Sequence, residues 1–187
     1  MPEEPLPKRR NSLRLYGYDY TAPGCYFITI VTQNRVRRFG NVNNGEMELN
    51  EAGKMVEQSY LEMLKQYADL SDIAHVLMPN HLYGFLSNAG EANVCDAVKW
   101  LKSRTTSGYI HGMKEQGWPT FDKRLWQTRF YDVIARNQQA YQLIVNYIYN
   151  NPLRWSYDLL NEECIKEKAD EIAAFAQNRK VKSIHNS

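Results

Sequence analysis

At 187 residues with 43% hydrophobic side chains, the chain is long enough for one packed core and too short for two ordinary domains. Its first ten residues, running from Met1 to Arg10, contain no apolar run, and no segment approaches the roughly 20 apolar residues of a membrane helix, which argues against a secreted or membrane protein and for a cytoplasmic one. Cys25, Cys95 and Cys164 are odd in number and widely spaced, so they suggest reduced, buried thiols, not a disulfide framework or a thiolate metal site.

The net charge of +2 hides strong segregation: residues 1–38 carry +4, residues 39–98 carry −7, residues 99–154 carry +6 and residues 155–187 carry −1. Two basic stretches separated by an acidic one can converge on a face that attracts a polyanion. Charge alone fits an ordinary solvated surface equally well.

In chain order, residues 1–17 form a basic arm, residues 18–160 a single domain, and residues 161–187 a C-terminal helix with a basic tail. The β-branched and aromatic run from Gly24 to Gln33 predicts a first strand, and the turn-rich stretch around Asn41 to Gly45 a short hairpin. Met55, Tyr60, Met63, Leu64 and Tyr67 recur near helical spacing behind Asn50, a candidate N-cap. Ile73–Met78 and His81–Leu86 read as two strands joined by a turn at Pro79-Asn80. A second helix begins near Asn93 with Val94, Ala97, Val98 and Leu101 as its apolar stripe. Gly108 to Asp122 reads as loop, Leu125 to Ala135 as a last strand, and Asn137 starts a helix with Tyr141, Ile144, Val145 and Ile148 inward, ended or kinked by Pro152. This order predicts an α+β fold, a ferredoxin-like antiparallel sheet with helices packed on it. Beyond Trp155, Glu162 to Gln177 reads as a helix followed by the basic tail Arg179 to Lys182.

The chemistry-bearing residues gather in two places. Residues two apart on a strand share a face, so His81 and Tyr83 point the same way and can line one site. Tyr147 and Asn151 are four apart on the predicted final helix and share a face there. Imidazole, two phenols and an amide would then meet.

Pro79-Asn80-His81 after an apolar strand, Leu125-Trp126-Gln127 followed by Arg129-Phe130-Tyr131-Asp132, and the run from Asn146 to Pro152 resemble, in order and spacing, the REP-associated tyrosine transposases. These are single-tyrosine members of the HUH nuclease superfamily, which cut single-stranded DNA. The resemblance spans roughly Tyr18 to Trp155 and includes Phe27 to Arg35 in the first strand. It implies the ferredoxin-like fold, a divalent metal held by two histidines and a polar helix residue, and a tyrosine nucleophile on that helix. Carried over by position, His81 is the first histidine, Tyr147 the nucleophile and Asn151 the third ligand. The second histidine falls on Tyr83, and Val133 stands where the family commonly has another histidine.

Phosphodiester cleavage needs a nucleophile in line with the leaving oxygen and a cation to offset charge on the non-bridging oxygens. A tyrosine becomes attached to the 5′ phosphate, and the freed 3′ hydroxyl can reverse the step, so no nucleotide cofactor is required. Magnesium or manganese suits amide and phosphate oxygens and an imidazole. A neutral phenol with a pKa of about 10 is a poor ligand, so Tyr83 in place of the second histidine predicts weakened metal binding. The implied partners are single-stranded DNA and its hairpins, bound by a monomer or a homodimer that is nucleoid-associated when on DNA.

Ordinary roles compete for several of these residues. His75 and His111 fit structural positions, and Tyr147 is one of 13 tyrosines, with Tyr149 a nearby decoy. Trp100, Trp118, Trp126 and Trp155, with Phe130 and Tyr131, are mostly core candidates, one or two of them free to stack on bases. Candidate DNA contacts are Lys8, Arg9, Arg10 and Arg14 in the arm, and Lys102, Arg104, Arg129, Arg136 and Arg154 in the basic third segment. The readings are thus a strand-cleaving transposase, a catalytically inactive hairpin-DNA-binding protein derived from one, and an α+β domain unconnected with nucleic acid.

Overall fold

The computed structural model describes residues 18–161 and Glu163. The predicted basic arm, Cys164, the C-terminal helix and the basic tail lie outside the described residues.

Four strands form the main sheet: β1 (Gly24–Val31), β4 (Leu70–Met78), β5 (His81–Asn88) and β6 (Tyr131–Ala135). Their spatial order is β4-β5-β1-β6, with every neighbouring pair antiparallel. With α1 (Glu51–Gln66) before β4 and α2 (Val94–Glu115) before β6, this is the ferredoxin-like order expected from sequence. The hairpin β2 (Gly40–Asn43) and β3 (Glu46–Leu49) is inserted ahead of α1, and α3 (Gln138–Tyr149) closes the domain. Each helix starts on an asparagine whose side chain accepts from the first turn: Asn50 from Gly53 N, Asn93 from Cys95 N and Asp96 N, Asn137 from Ala140 N. Among the described residues no helix is long and apolar enough to cross a membrane.

Strand alternation sorts side chains onto two faces. Tyr26, Ile28 and Ile30 of β1 and Leu82 and Leu86 of β5 join Val56, Tyr60, Met63, Val98 and Leu101 of α1 and α2 in the larger core. Tyr83 and Phe85 face the other way, with Ala74 and Ile148 of α3. Gly84 takes the position where a Cβ would stand 3.2 Å from both Ile28 Cγ1 and the Tyr60 hydroxyl, so α1 seats closely on β5.

Three sequence expectations are corrected. Helix α2 runs on to Glu115, into the first half of the Gly108–Asp122 stretch expected as loop, while residues 116–122 are irregular as expected. Its glycines serve close packing: a Cβ at Gly108 would lie 2.8 Å from Met55 Sδ, and one at Gly112 would lie 2.2 Å from the Trp118 ring. The last strand is only Tyr131–Ala135. Leu125 and Trp126 are consecutive and both buried, which an alternating strand on a single core face does not allow, and Trp126 makes only an isolated bridge with Thr32. Finally, α3 ends at Tyr149, and Asn151 caps the 3-10 turn Pro152–Tyr157 while keeping helical backbone angles.

Candidate active site

The site begins with the turn at Pro79-Asn80. Asn80 is fully buried, and its amide Nδ2 donates to Arg35 O at 2.7 Å and Leu160 O at 2.8 Å. That fixes Oδ1 as the free end, 2.8 Å from His81 Nδ1, so Nδ1 carries the proton and donates. Nε2 is left with a free lone pair, buried and without a hydrogen-bond partner. Burial pushes the His81 pKa down to about 3, which keeps the ring neutral. A neutral imidazole oriented through Nδ1 is the form that ligates metal through Nε2.

Two residues on, Tyr83 projects from the same face of β5, its ring 4.4 Å from the imidazole in an edge-on arrangement. Its hydroxyl meets that of Tyr147 at 2.9 Å. Phe27, from the adjacent β1, stacks on Tyr83 at 5.4 Å and meets Tyr147 edge-on at 6.1 Å, so the two phenols are held by a third ring. Burial raises the Tyr83 phenol well above its ordinary range, with the Asp158 carboxylate and the Tyr147 contact adding to it. Tyr147 is also raised, again chiefly by burial, against a lowering contribution from the Tyr83 hydrogen bond; Asp158 raises it further and the Asn151 side chain lowers it.

Asn151 completes the cluster. It is buried, its Nδ2 faces Asp158 Oδ2 at 3.4 Å, and its Oδ1 has no partner. Asp158 is itself held by Leu160 N, which donates to Oδ1 at 2.7 Å. Two buried acceptors without partners, His81 Nε2 and Asn151 Oδ1, fit the donor set of a hard or borderline divalent cation. Tyr83 fits less well, since its hydroxyl is engaged with Tyr147 and its ionisation is opposed by burial. Among the described residues no group of three or more histidine, cysteine, aspartate or glutamate side chains gathers in metal-binding array.

The four residues singled out in sequence therefore meet in one place. The DNA-contact candidates scatter. Arg154 lines a cavity of about 550 Å³ beside Tyr147, with Phe27, Val133, Leu143 and Asn150 among its walls. Val133 pairs with Phe27 across β6 and β1 and is 53% exposed, so it presents an aliphatic surface where a histidine would present a donor. Arg129 and Arg136 are exposed just outside the two ends of β6. Lys102 lies in a separate cleft, and Arg104 pairs with Glu62 at 3.3 Å on the outer side of α1 and α2. Trp126 and Trp155 are buried, the latter under the Arg37 guanidinium at 5.5 Å and 6.0 Å from the His81 ring. Sequence reasoning missed two contributors: Asn80, whose role was implicit in the Pro-Asn-His run, and Asp158, which nothing in the local pattern marks.

No protein-family model matches the chain. The fold is similar to that of a solved REP-associated tyrosine transposase bound to a REP hairpin, which superposes with a TM-score of 0.56 at 20% identity, covering 78% of this chain and 76% of that one. In sequence, an uncharacterized Haemophilus influenzae protein is 30% identical over 166 residues, covering 81% of this chain and 92% of its own length. A second protein of that organism, named "Putative REP-associated tyrosine transposase", is 22% identical over 151 residues, covering 76% of this chain and 77% of its own. The chain belongs to one family with the uncharacterized Haemophilus influenzae protein and is similar in sequence and fold to REP-associated tyrosine transposases.

Proposed function

We propose that this protein binds single-stranded DNA next to palindromic hairpins and cleaves and rejoins the strand through a 5′-phosphotyrosine at Tyr147. The observation that carries the reading is the convergence of the Tyr147 hydroxyl, hydrogen-bonded at 2.9 Å to Tyr83, with the two unpartnered buried acceptors of His81 and Asn151. In the reaction the Tyr147 oxygen attacks phosphorus as its proton passes to solvent. The new O–P bond forms while the bond from phosphorus to the 3′ oxygen breaks, and that oxygen takes up a proton. The reverse attack by the 3′ hydroxyl reseals a strand. A magnesium or manganese ion held by His81 and Asn151, with Tyr83 at most a weak third ligand, would offset charge on the non-bridging oxygens. Phe27 and Tyr83 orient the nucleophile, and the protein acts in the cytoplasm, at the nucleoid when on DNA, as a monomer or homodimer.

The test is incubation of the purified protein with hairpin-bearing single strands and manganese beside a Tyr147→Phe control. A covalent protein–DNA adduct is expected with the parent chain alone, and its absence at every sequence tried overturns the catalytic claim. A second reading, a catalytically inactive hairpin binder, is favoured by the Tyr83 hydroxyl being committed to Tyr147. It predicts salt-sensitive hairpin binding that chelation of metal leaves unchanged.

A further inference from the structure

Away from Tyr147, on the opposite face of the sheet, a cleft of about 500 Å³ opens between α2 and the stretch that precedes β6. We infer that this cleft is a second nucleic-acid site, which takes the phosphodiester backbone of the hairpin's double-stranded stem. The inference rests on the hairpin-binding reading above and adds to it a place and a set of residues.

The cleft's chemistry is that of an anion site. Lys102, Lys123 and Arg124 line it without any carboxylate among the lining residues. Ser103 and Ser107 stand four apart on α2, so their hydroxyls share the face turned to it, beside Thr106, whose hydroxyl donates to Lys102 O at 2.6 Å. Cations and hydroxyls together are the usual protein groups on phosphate oxygens, and they position a duplex without reading its sequence. The cleft also lies within the most basic segment of the chain, residues 99–154 at +6.

Its walls are built, not draped. Lys102 Nζ donates to the carbonyls of Gln127 and, at 3.1 Å, Thr128. Trp126 Nε1 donates to Thr105 Oγ1 at 2.8 Å in the core. Gln127 N donates to Val31 O at 2.9 Å and Gln33 N to Leu125 O at 2.8 Å. An irregular stretch tied at this many points presents its side chains at little ordering cost on binding. Lys123 holds φ of 60°, a left-handed conformation unusual for a lysine, at the mouth of the same cleft.

The placement fits one continuous path for the DNA. Val31, bonded to Gln127, is the register partner of His81, so the cleft adjoins the end of the sheet that carries the site histidine. From there β6, which pairs only with β1, runs along the sheet edge with Tyr131 and Val133 exposed on the Tyr147 side. A stem seated in the cleft would leave its unpaired strand to cross that edge towards Tyr147.

The test measures binding of the full chain to a labelled hairpin with a single-stranded tail, and to the tail alone, across a range of salt. Lys123→Ala/Arg124→Ala is compared with Lys54→Ala/Lys99→Ala, which removes the same charge from lysines paired with Glu51 and Asp96. The cleft variant is expected to lose about 10-fold or more in hairpin affinity near physiological salt, with a salt slope reduced by about one to two. Tail binding and adduct formation on the tail should stay within about twofold, as should hairpin binding by the control. Equal losses on hairpin and tail, or equal losses in both variants, overturn the stem assignment. Hairpin affinity unchanged by the cleft variant overturns it too, whereas a parent chain that binds no hairpin at all overturns the underlying function.

Discussion

The two faces of the sheet are made for different ends. The face under α1 and α2 is filled with aliphatic and aromatic side chains: Ile28, Leu82, Leu86, Val98 and Leu101 are each at most 1% exposed. Among its polar groups, the Tyr60 hydroxyl donates to Asp72 Oδ1 at 2.6 Å. The face under α3 has a smaller apolar cluster and gives the adjoining space to an imidazole, two phenols and an amide, two of whose buried acceptors lack partners. A buried polar atom left unpaired costs about 1–3 kcal/mol, so the α3 face gives up stability to keep donors facing inward. The packed core and the tyrosine cluster are thus separable by face, and substitutions can test that separation.

The largest effect belongs to the closed face. Leu86→Ala leaves a cavity and should cost about 2–5 kcal/mol in urea unfolding while leaving adduct formation per folded molecule intact; a selective loss of adduct would break the division. Next is Asn80→Ala, which strips the Arg35 and Leu160 carbonyls and His81 Nδ1 of their partner at once. Roughly 2–3 kcal/mol of stability should go, and manganese affinity by titration calorimetry should fall about 10-fold or more, as for lost groups that orient metal ligands. Tyr83→His is expected to raise manganese affinity by about 10-fold while costing about 1–2 kcal/mol of stability for the lost Tyr147 hydrogen bond and ring packing; unchanged affinity would show that position 83 is not what limits the site.

The smallest effect is pH-dependent and belongs to the α1 face. His75 Nδ1 lies 2.7 Å from Asp72 Oδ2, with Glu57 at 4.0 Å and the Tyr60 ring 4.6 Å away. The Asp72 hydrogen bond raises its pKa, burial partly opposing and the charges of Asp72 and Glu57 assisting. Because the folded value lies above the unfolded value of about 6.5, the contribution is complete below that pH and is lost as pH rises through the folded pKa. Its size should stay below about 1 kcal/mol. Urea midpoints at acid and alkaline pH should therefore diverge more for the parent than for His75→Gln, and parallel shifts would remove the assignment.

Much of the fold was legible because strong local signals agreed with it. The Asn50 cap, the helix starts at Asn93 and Asn137, the stripe Val94, Ala97, Val98 and Leu101, and the Pro79-Asn80 turn all sit where the local pattern put them. The errors came where a residue type serves a distant neighbour. Gly108 and Gly112 read locally as breakers, yet their missing side chains make room for Met55 and Trp118. The site was half legible in the same sense. Face-sharing grouped His81 with Tyr83 and Tyr147 with Asn151, but only the folded chain shows that the two phenols, 64 residues apart, bond to each other. The tautomer of His81 and the reach of Asp158 depend on Asn80 and on the last turn, and no pattern within either segment encodes them.

The Asn80 amide has a kinetic meaning as well. It ties together the turn at Arg35, the start of β5 and the carbonyl of Leu160, segments separated by 45 and 80 residues. Contacts of such sequence separation carry a larger loop-closure cost than the helices and the β4–β5 hairpin, so they are expected to form after them. The imidazole thus receives its orientation only when both ends of the domain have arrived. A chain still emerging from the ribosome holds every side chain of the site except Asp158 before it holds the site itself, and the last few residues of the domain act as the latch that arms it.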